Sequence, residues 1–321
     1  MSGGHGNGPG HRHHHLAHDE RSSLSTRAAL ASVATALLLL GLKGWAAAET
    51  GSMAMLGSLA DTGLDLLASM VTLFGVRIAA QPADHDHRFG HGKAEALVAL
   101  AQVMIITGSA VAIALQSVER LLHRTETSHA ELGIGVSVVA ILVTLALTMY
   151  QKHVVRRTGS VAIATDHLHY QSDMLLNGTV IIALVLDQYL HLSGTDALFG
   201  LLLAAWLAWG AWSSSRHALS QLMDQEWPEA ARAEFLAAAA EFPELAGLHD
   251  LRTRSSGTHR FVQCHVWVPG EWTVREAHDR IDAAEEQLQR RFPNTEILMH
   301  LDPEGHTDRE TMLSSHLTET R

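Results

Sequence analysis

Apolar positions run in long continuous stretches through the first two thirds of this chain and in short periodic ones through the last hundred residues. A bilayer-crossing helix needs roughly 20 mostly apolar residues, and six windows reach that length: approximately 28–48, 53–80, 95–119, 131–151, 161–186 and 196–215. The third, "ALVALAQVMIITGSAVAIALQSV", and the fourth, "LGIGVSVVAILVTLALTMY", carry no charge at all. The second and fifth contain acidic residues, and the first holds Lys43. After Arg216 the pattern becomes that of a soluble domain. "PEAARAEFLAAAAEF" reads as a helix, "LHDLRTR" and "RFVQCHVWV" as strands, "TVREAHDRIDAAEEQLQRRF" as an amphipathic helix and "TEILMHLD" as a last strand. The order αββαβ predicts an α+β domain of ferredoxin-like type. The expected organisation is a His-rich disordered tail over 1–26, a six-helix transmembrane domain over 27–220, a cytoplasmic domain over 221–304 and a disordered tail over 305–321.

Composition sharpens this picture. The mean hydropathy of +0.07 averages a membrane part with a soluble part. A net charge of -11 offers no basic footprint for nucleic acid. The single cysteine, Cys264, excludes an internal disulfide framework and suits a reducing cytoplasm. The N-terminal "MSGGHGNGPGHRHHHLAHDERSS" lacks the apolar core of a signal peptide, so no cleavage is expected; it reads as a loose tail, with metal collection as the alternative. Lys and Arg are concentrated in the tail and in the second–third and fourth–fifth connections, while "DQYLHLSGTD" between the fifth and sixth spans has none. Both termini are therefore expected in the cytoplasm.

Three groups of polar residues carry chemistry. In the fifth span Asp166, His169, Asp173 and Asn177 recur at helical spacing and form a stripe about 16 Å long. The second span places Asp61 and Asp65 four apart, with Ser58 and Ser69 extending the row. Ionised groups in lipid each cost a few kcal/mol, so the two stripes must face each other or water. Facing D-x3-D and H-x3-D pairs offer three carboxylates and one imidazole, a four-coordinate set for a divalent ion such as Zn²⁺, and the absence of Cys and Met donors argues against copper(I). Empty, such carboxylates compete for protons and His169 titrates near neutrality, so metal and protons bind the same atoms. The second group, Asp84, His85, Asp86, His87 and His91, lies in the connection "QPADHDHRFGHGKAEA", which Pro82, Gly90 and Gly92 mark as a loop. In the third, strand alternation puts His265 opposite Val262, Cys264, Val266 and Val268, and His300 and Asp302 opposite Ile297, Met299 and Leu301. His249 and His278 complete a set that converges on one surface.

The stretches "DTGLD", "QPADHDHRFGHGKAEALVALAQ", "VVRRTGS", "DHLHYQSD", "HDLRTRSSG" and "RRFPNTEILMHLDP" resemble the cation diffusion facilitator family, in particular its bacterial Zn²⁺/H⁺ antiporters, over about residues 27–303. The resemblance implies a transport site on Asp61, Asp65, His169 and Asp173, a loop site on Asp84, His87 and His91, and a binuclear cytoplasmic site on His249, His265, His278, His300 and Asp302. It further implies a homodimer associated through bridging Zn²⁺, with a charge interlock on Lys93 and Asp224. Leu301 departs from the family's usual polar residue and leaves the ligands in place. Asp61, where many eukaryotic zinc carriers have histidine, resembles the branch that also accepts Cd²⁺, and oxygen donors admit Fe²⁺ or Mn²⁺.

The expected function is proton-coupled efflux of these ions across a bacterial inner membrane by alternating access. An intramembrane metalloprotease would need a motif such as H-E-x-x-H, which is absent, and no G-x4-G-K-[ST] nucleotide-binding loop occurs. A passive channel would use several weak sites. The expected partners are the lipid bilayer, divalent cations, protons and a second copy, with no nucleotide or nucleic acid.

Overall fold

The computed structural model describes residues 9–50, 53–122, 131–190 and 195–305. The chain divides into a helical unit, Glu20–Leu222, and a second unit made of Met1–Asp19 and Met223–Arg321. The long helices are α1 (Pro9–Thr50), which enters the helical unit at Glu20, α2 (Met53–Ala79), α3 (Ala94–Leu122), α4 (Glu131–Thr158), α5 (Val161–Leu190) and α6 (Thr195–Leu222). Five of these carry segments long and apolar enough to cross a membrane: Glu20–Glu49, Ser58–Ala79, Ala94–Glu119, Val138–Thr158 and Ala197–Leu222. The sixth helix, α5, spans 30 residues and carries Asp166, His167, His169 and Asp173 in its first half. It packs against α2, α3, α4 and α6.

Helix α1 starts well before the expected tail boundary at residue 26. No Gly or Pro interrupts the sequence between His11 and Leu40, so the backbone from Pro9 continues helically into the first span. The sequence tails 1–8 and 306–321 lie outside the described residues. On the side where α4 ends and α5 begins, the buried Glu95 of α3 caps α5. Its carboxylate accepts from the Ser160 hydroxyl and the Val161 and Ala162 amides, a pairing the helix dipole favours.

The C-terminal unit follows the expected order: α7 (Glu229–Ala239), a 3-10 turn at Pro243–Leu245, β1 (Leu248–Ser256), β2 (His259–Val268), α8 (Val274–Arg291) and β3 (Thr295–Pro303). The strands form one sheet in the order β1-β2-β3, antiparallel then parallel. A Thr273–Glu276 capping box starts α8. Phe235 of α7 and Ile281 and Leu288 of α8 bury against Val262, Val266 and Ile297. Both helices thus cover one sheet face, and the other is left to the polar side chains of alternate positions.

Candidate metal centres

The first centre forms between α2 and α5. His169 Nε2 lies 3.2 Å from Asp65 Oδ1 and 3.8 Å from Asp173 Oδ2, so one atom from each falls within 4.8 Å of the others. The His169 and Asp173 pair comes from one turn of α5, as their i, i+4 spacing requires. His169 Nε2 is buried yet makes no hydrogen bond. A ring nitrogen facing two carboxylates without a hydrogen bond is a ligand set that a divalent cation completes. Asp61 stands one turn from Asp65, is exposed and does not join the three-residue cluster, so the structure assembles three of the four expected ligands. The side chain of Asn177 lies outside the described residues.

Lys43 of α1 is settled by α2: its ammonium donates to Thr62 Oγ1 at 2.7 Å and to the Ser58 carbonyl at 3.4 Å. A fixed positive charge therefore stands beside the residue that follows Asp61 in the chain. Tyr170, next to His169, shares a hydrogen bond with Ser69 at 2.7 Å and donates to the Ser32 carbonyl.

Asp166 points to a different purpose from the stripe expected of it. It is fully buried, and its carboxylate accepts from Ser32 Oγ at 2.6 Å, Gln151 Nε2 at 2.7 Å, Gln102 Nε2 at 2.9 Å and Thr72 Oγ1 at 3.5 Å. The four donors come from α1, α4, α3 and α2. Sequence reasoning missed all four partners, because a single Ser, Thr or Gln within an apolar helix reads as tolerable background.

The second centre lies in the α2–α3 connection. Asp84 Oδ1 accepts the Asp86 and His87 amides at 2.9 and 2.6 Å, an Asx turn that fixes the carboxylate. His87 Nδ1 and His91 Nε2 each stand 3.3 Å from it. The chain turns at Gly90, whose φ of 77° suits glycine. The His87 amide, as its largest cause, holds the Asp84 carboxyl below its usual value, and an ionised carboxylate is the ligating form. His85 and Asp86 are exposed and do not join this cluster.

The third centre occupies the open face of the C-terminal sheet. The pairing register sets His249 opposite His265 and His265 opposite His300, one histidine on each strand. Asp302 lies among all three, 2.8 Å from His265 Nδ1, 3.5 Å from His249 Nε2 and 3.3 Å from His300 Nε2. The imidazoles cover its side chain, which is only 5% exposed. A bulge between His249 and Arg252, with Asp250 at φ 45°, brings Asp250 Oδ2 to 3.9 Å from His265 Nε2. Asp250 was not foreseen, because a bulge breaks the alternation on which that reading relied. Gly247 lets the chain pass close to Trp267, where a Cβ would meet atoms at 2.9–3.1 Å, and the Trp267 ring covers His249 at 4.5 Å. His278 is exposed on α8, the layer against the opposite sheet face, and does not join its own chain's cluster.

Each residue of the expected interlock has a partner within its own unit. Lys93 donates to the Leu222 carbonyl at 3.3 Å. Asp224, at φ 53°, pairs with Arg254 at 3.6 Å.

Comparison with known proteins identifies the family. Residues 29–223 match the cation efflux transmembrane domain and residues 227–304 the cation efflux protein cytoplasmic domain. The cation-efflux pumps FieF of Salmonella arizonae and Salmonella agona are each 41% identical over 287 residues, 89% of this chain and 95% of theirs. A solved structure of CzrB in its Zn form is 32% identical, covering 27% of this chain and 99% of that one, with a TM-score of 0.25. The chain belongs to the cation efflux family, as a multi-pass membrane transporter and not an enzyme.

Proposed function

We propose that the protein exports divalent metal cations from the cytoplasm in exchange for protons, with Zn²⁺ as the principal ion, Cd²⁺ accepted, and Fe²⁺ and Mn²⁺ as further candidates. The observation that carries this reading is the Asp65–His169–Asp173 cluster within membrane-spanning helices. Its ligands are the groups protons also bind, so a cation arriving from the cytoplasm displaces protons and protons arriving from a more acidic exterior displace the cation. Asp61, one turn along α2, is the fourth ligand in this scheme and closes onto the cluster when metal binds.

The loop and cytoplasmic clusters hold Zn²⁺ as a structural ion. A ligand role for His278 requires a second protomer, since its own α8 stands on the wrong side of the sheet. Bridging of that kind favours a homodimer, with Lys93 and Asp224 contributing the charge interlock. The Lys and Arg distribution supports a reading with both termini in the cytoplasm of a bacterial cell and the protein in its inner membrane. Purified protein in liposomes, assayed for Zn²⁺, Cd²⁺, Fe²⁺ and Mn²⁺ uptake with and without a pH gradient, tests coupling and ranks the ions. Flux that is saturable and gradient-dependent is expected; flux indifferent to the gradient would contradict the exchange.

A further inference from the structure

Asp166 lies three residues from His169 toward the start of α5, and it uses both carboxylate oxygens on donors from four other helices. Counted from the helix ends on the side where α6 runs out into the cytoplasmic domain, all the paired positions outside α1 fall at one depth. Thr72, Gln102, Gln151 and Asp166 stand five to eight residues inside α2, α3, α4 and α5, roughly 8–12 Å at 1.5 Å per residue. Ser32, Thr72, Gln102, Gln151 and Asp166 are all at most 1% exposed. Tyr170 and Ser69, at 2% and 0%, tie the same layer to the Ser32 backbone. Exposure rises in the opposite direction, through His169 at 7%, Asp65 at 21% and Asp173 at 35% to the exposed Asp61.

We propose that Asp166 and its four donors form the cytoplasmic seal of the transport path, a layer that must part before Asp65 and His169 can be reached from the cytoplasm. The inference rests on the transporter reading above. The Asp166 carboxyl accepts from four donors, and each of these bonds joins α5 to a different helix. None of α1, α2, α3 or α4 can move away from α5 without breaking one. The layer is also built to open. The Gln102 and Gln151 carbonyl oxygens are buried and accept no hydrogen bond, an unfavourable feature of the closed state that is relieved when the helices separate and water enters. A seal with both properties holds the closed state and still leaves it something to gain on opening, as alternating access requires. Asp166 is thus a positioning residue: it touches no ligand atom of the cluster and controls when the cluster is reached.

The test uses full-length protein carrying Ser69→Cys as reporter, one turn from Thr72 toward Asp65. The native Cys264 is buried and sets the background. A membrane-impermeant maleimide is added to inverted vesicles, which present the cytoplasmic face, and to right-side-out vesicles. Asp166→Asn is expected to raise cytoplasmic labelling roughly tenfold, the response to losing one buried hydrogen bond. Ser32→Ala and Gln151→Leu, each lacking one donor, are expected to raise it by smaller factors. Unchanged labelling in all three variants overturns the proposal, and so does an equal rise on both faces, which denotes general loosening. If Asp166→Asn fails to fold, the two donor variants are judged by the same criterion. Labelling needs no flux, so the two readings fail separately. A labelling response without zinc transport in the parent protein removes the proposed function alone, and transport without a labelling response removes the seal alone.

Discussion

His169 Nε2 and Asp65 Oδ1 meet at 3.2 Å between α5 and α2 without a hydrogen bond from the ring nitrogen. Two polar atoms at that distance inside a helical bundle are held there by the packing of the two helices, in a geometry that a divalent cation can share. Asp65→Ala or Asp173→Ala removes a ligand from a site with no surplus donor. Metal transport is expected to fall to background in liposomes while size-exclusion chromatography shows the assembly unchanged. Wild-type flux in either variant would exclude the centre as the transport site.

Asp302 makes contact with three imidazoles, and His300 with the cluster's edge, its side chain 66% exposed. Asp302→Ala is therefore expected to remove the metal bound at this face, and His300→Ala only part of it. Chelation should lower the stability of the proposed homodimer in the wild type and have little effect in Asp302→Ala. Metal content by mass spectrometry, together with sedimentation of the full-length protein, reads both.

The loop site depends on a carboxylate that stays ionised. Asp84 has a depressed carboxyl pKa, so its contribution is fully present above the ordinary carboxylate value of about 3.9 and is lost only as pH falls through a still lower one. Asp84→Asn, which removes the charge and one ligand oxygen while keeping the side chain's size, should therefore weaken metal binding at this site at neutral pH. Equilibrium dialysis of the full-length protein measures it, and unchanged affinity in Asp84→Asn would contradict the assignment.

Glu285 of α8 behaves in the opposite sense. Burial, as the largest cause, with Asp282 and Glu296 nearby, pushes its carboxyl up to about 7. A raised carboxyl pKa means that folding favours the protonated form, so stability is lost as pH rises from the ordinary value through about 7. Glu285→Gln, which keeps an acceptor for the Gln289 amide, is expected to raise the melting temperature of the cytoplasmic domain's transition at pH 8 and to leave it unchanged at pH 4. The side chain is partly solvated, which keeps the effect small. Equal shifts at both pH values would count against the charge explanation.

The pairing of Asp65 with His169 and Asp173 was legible because carboxylates and imidazole at i, i+4 spacing stand out within apolar runs. Strand alternation likewise put His265, His300 and Asp302 on one face. Asp61 shows the limit of spacing: four residues from Asp65 share its helix face, but reach and exposure depend on how α2 meets its neighbours. Periodicity was silent about Asp250, whose place comes from a bulge, and about the layer of α8 that separates His278 from its expected companions. The Asp166 network was the least visible. Ser32, Thr72, Gln102 and Gln151 acquire their meaning only when four separate helices come together, and nothing local in the chain announces that meeting.

The central claim, exchange of metal for protons at His169, is tested most directly by calorimetric titration of Zn²⁺ in two buffers of different ionisation enthalpy. The protein should lack the other histidine ligands through substitution of His87, His91, His249, His265, His278 and His300 by Ala. The difference in apparent enthalpy gives the protons released per metal bound. Release of at least one proton per Zn²⁺ between pH 6 and 7, abolished together with binding by Asp173→Ala, is the result predicted. Zn²⁺ binding at this site with no proton release across that range would contradict the exchange and leave facilitated diffusion in its place.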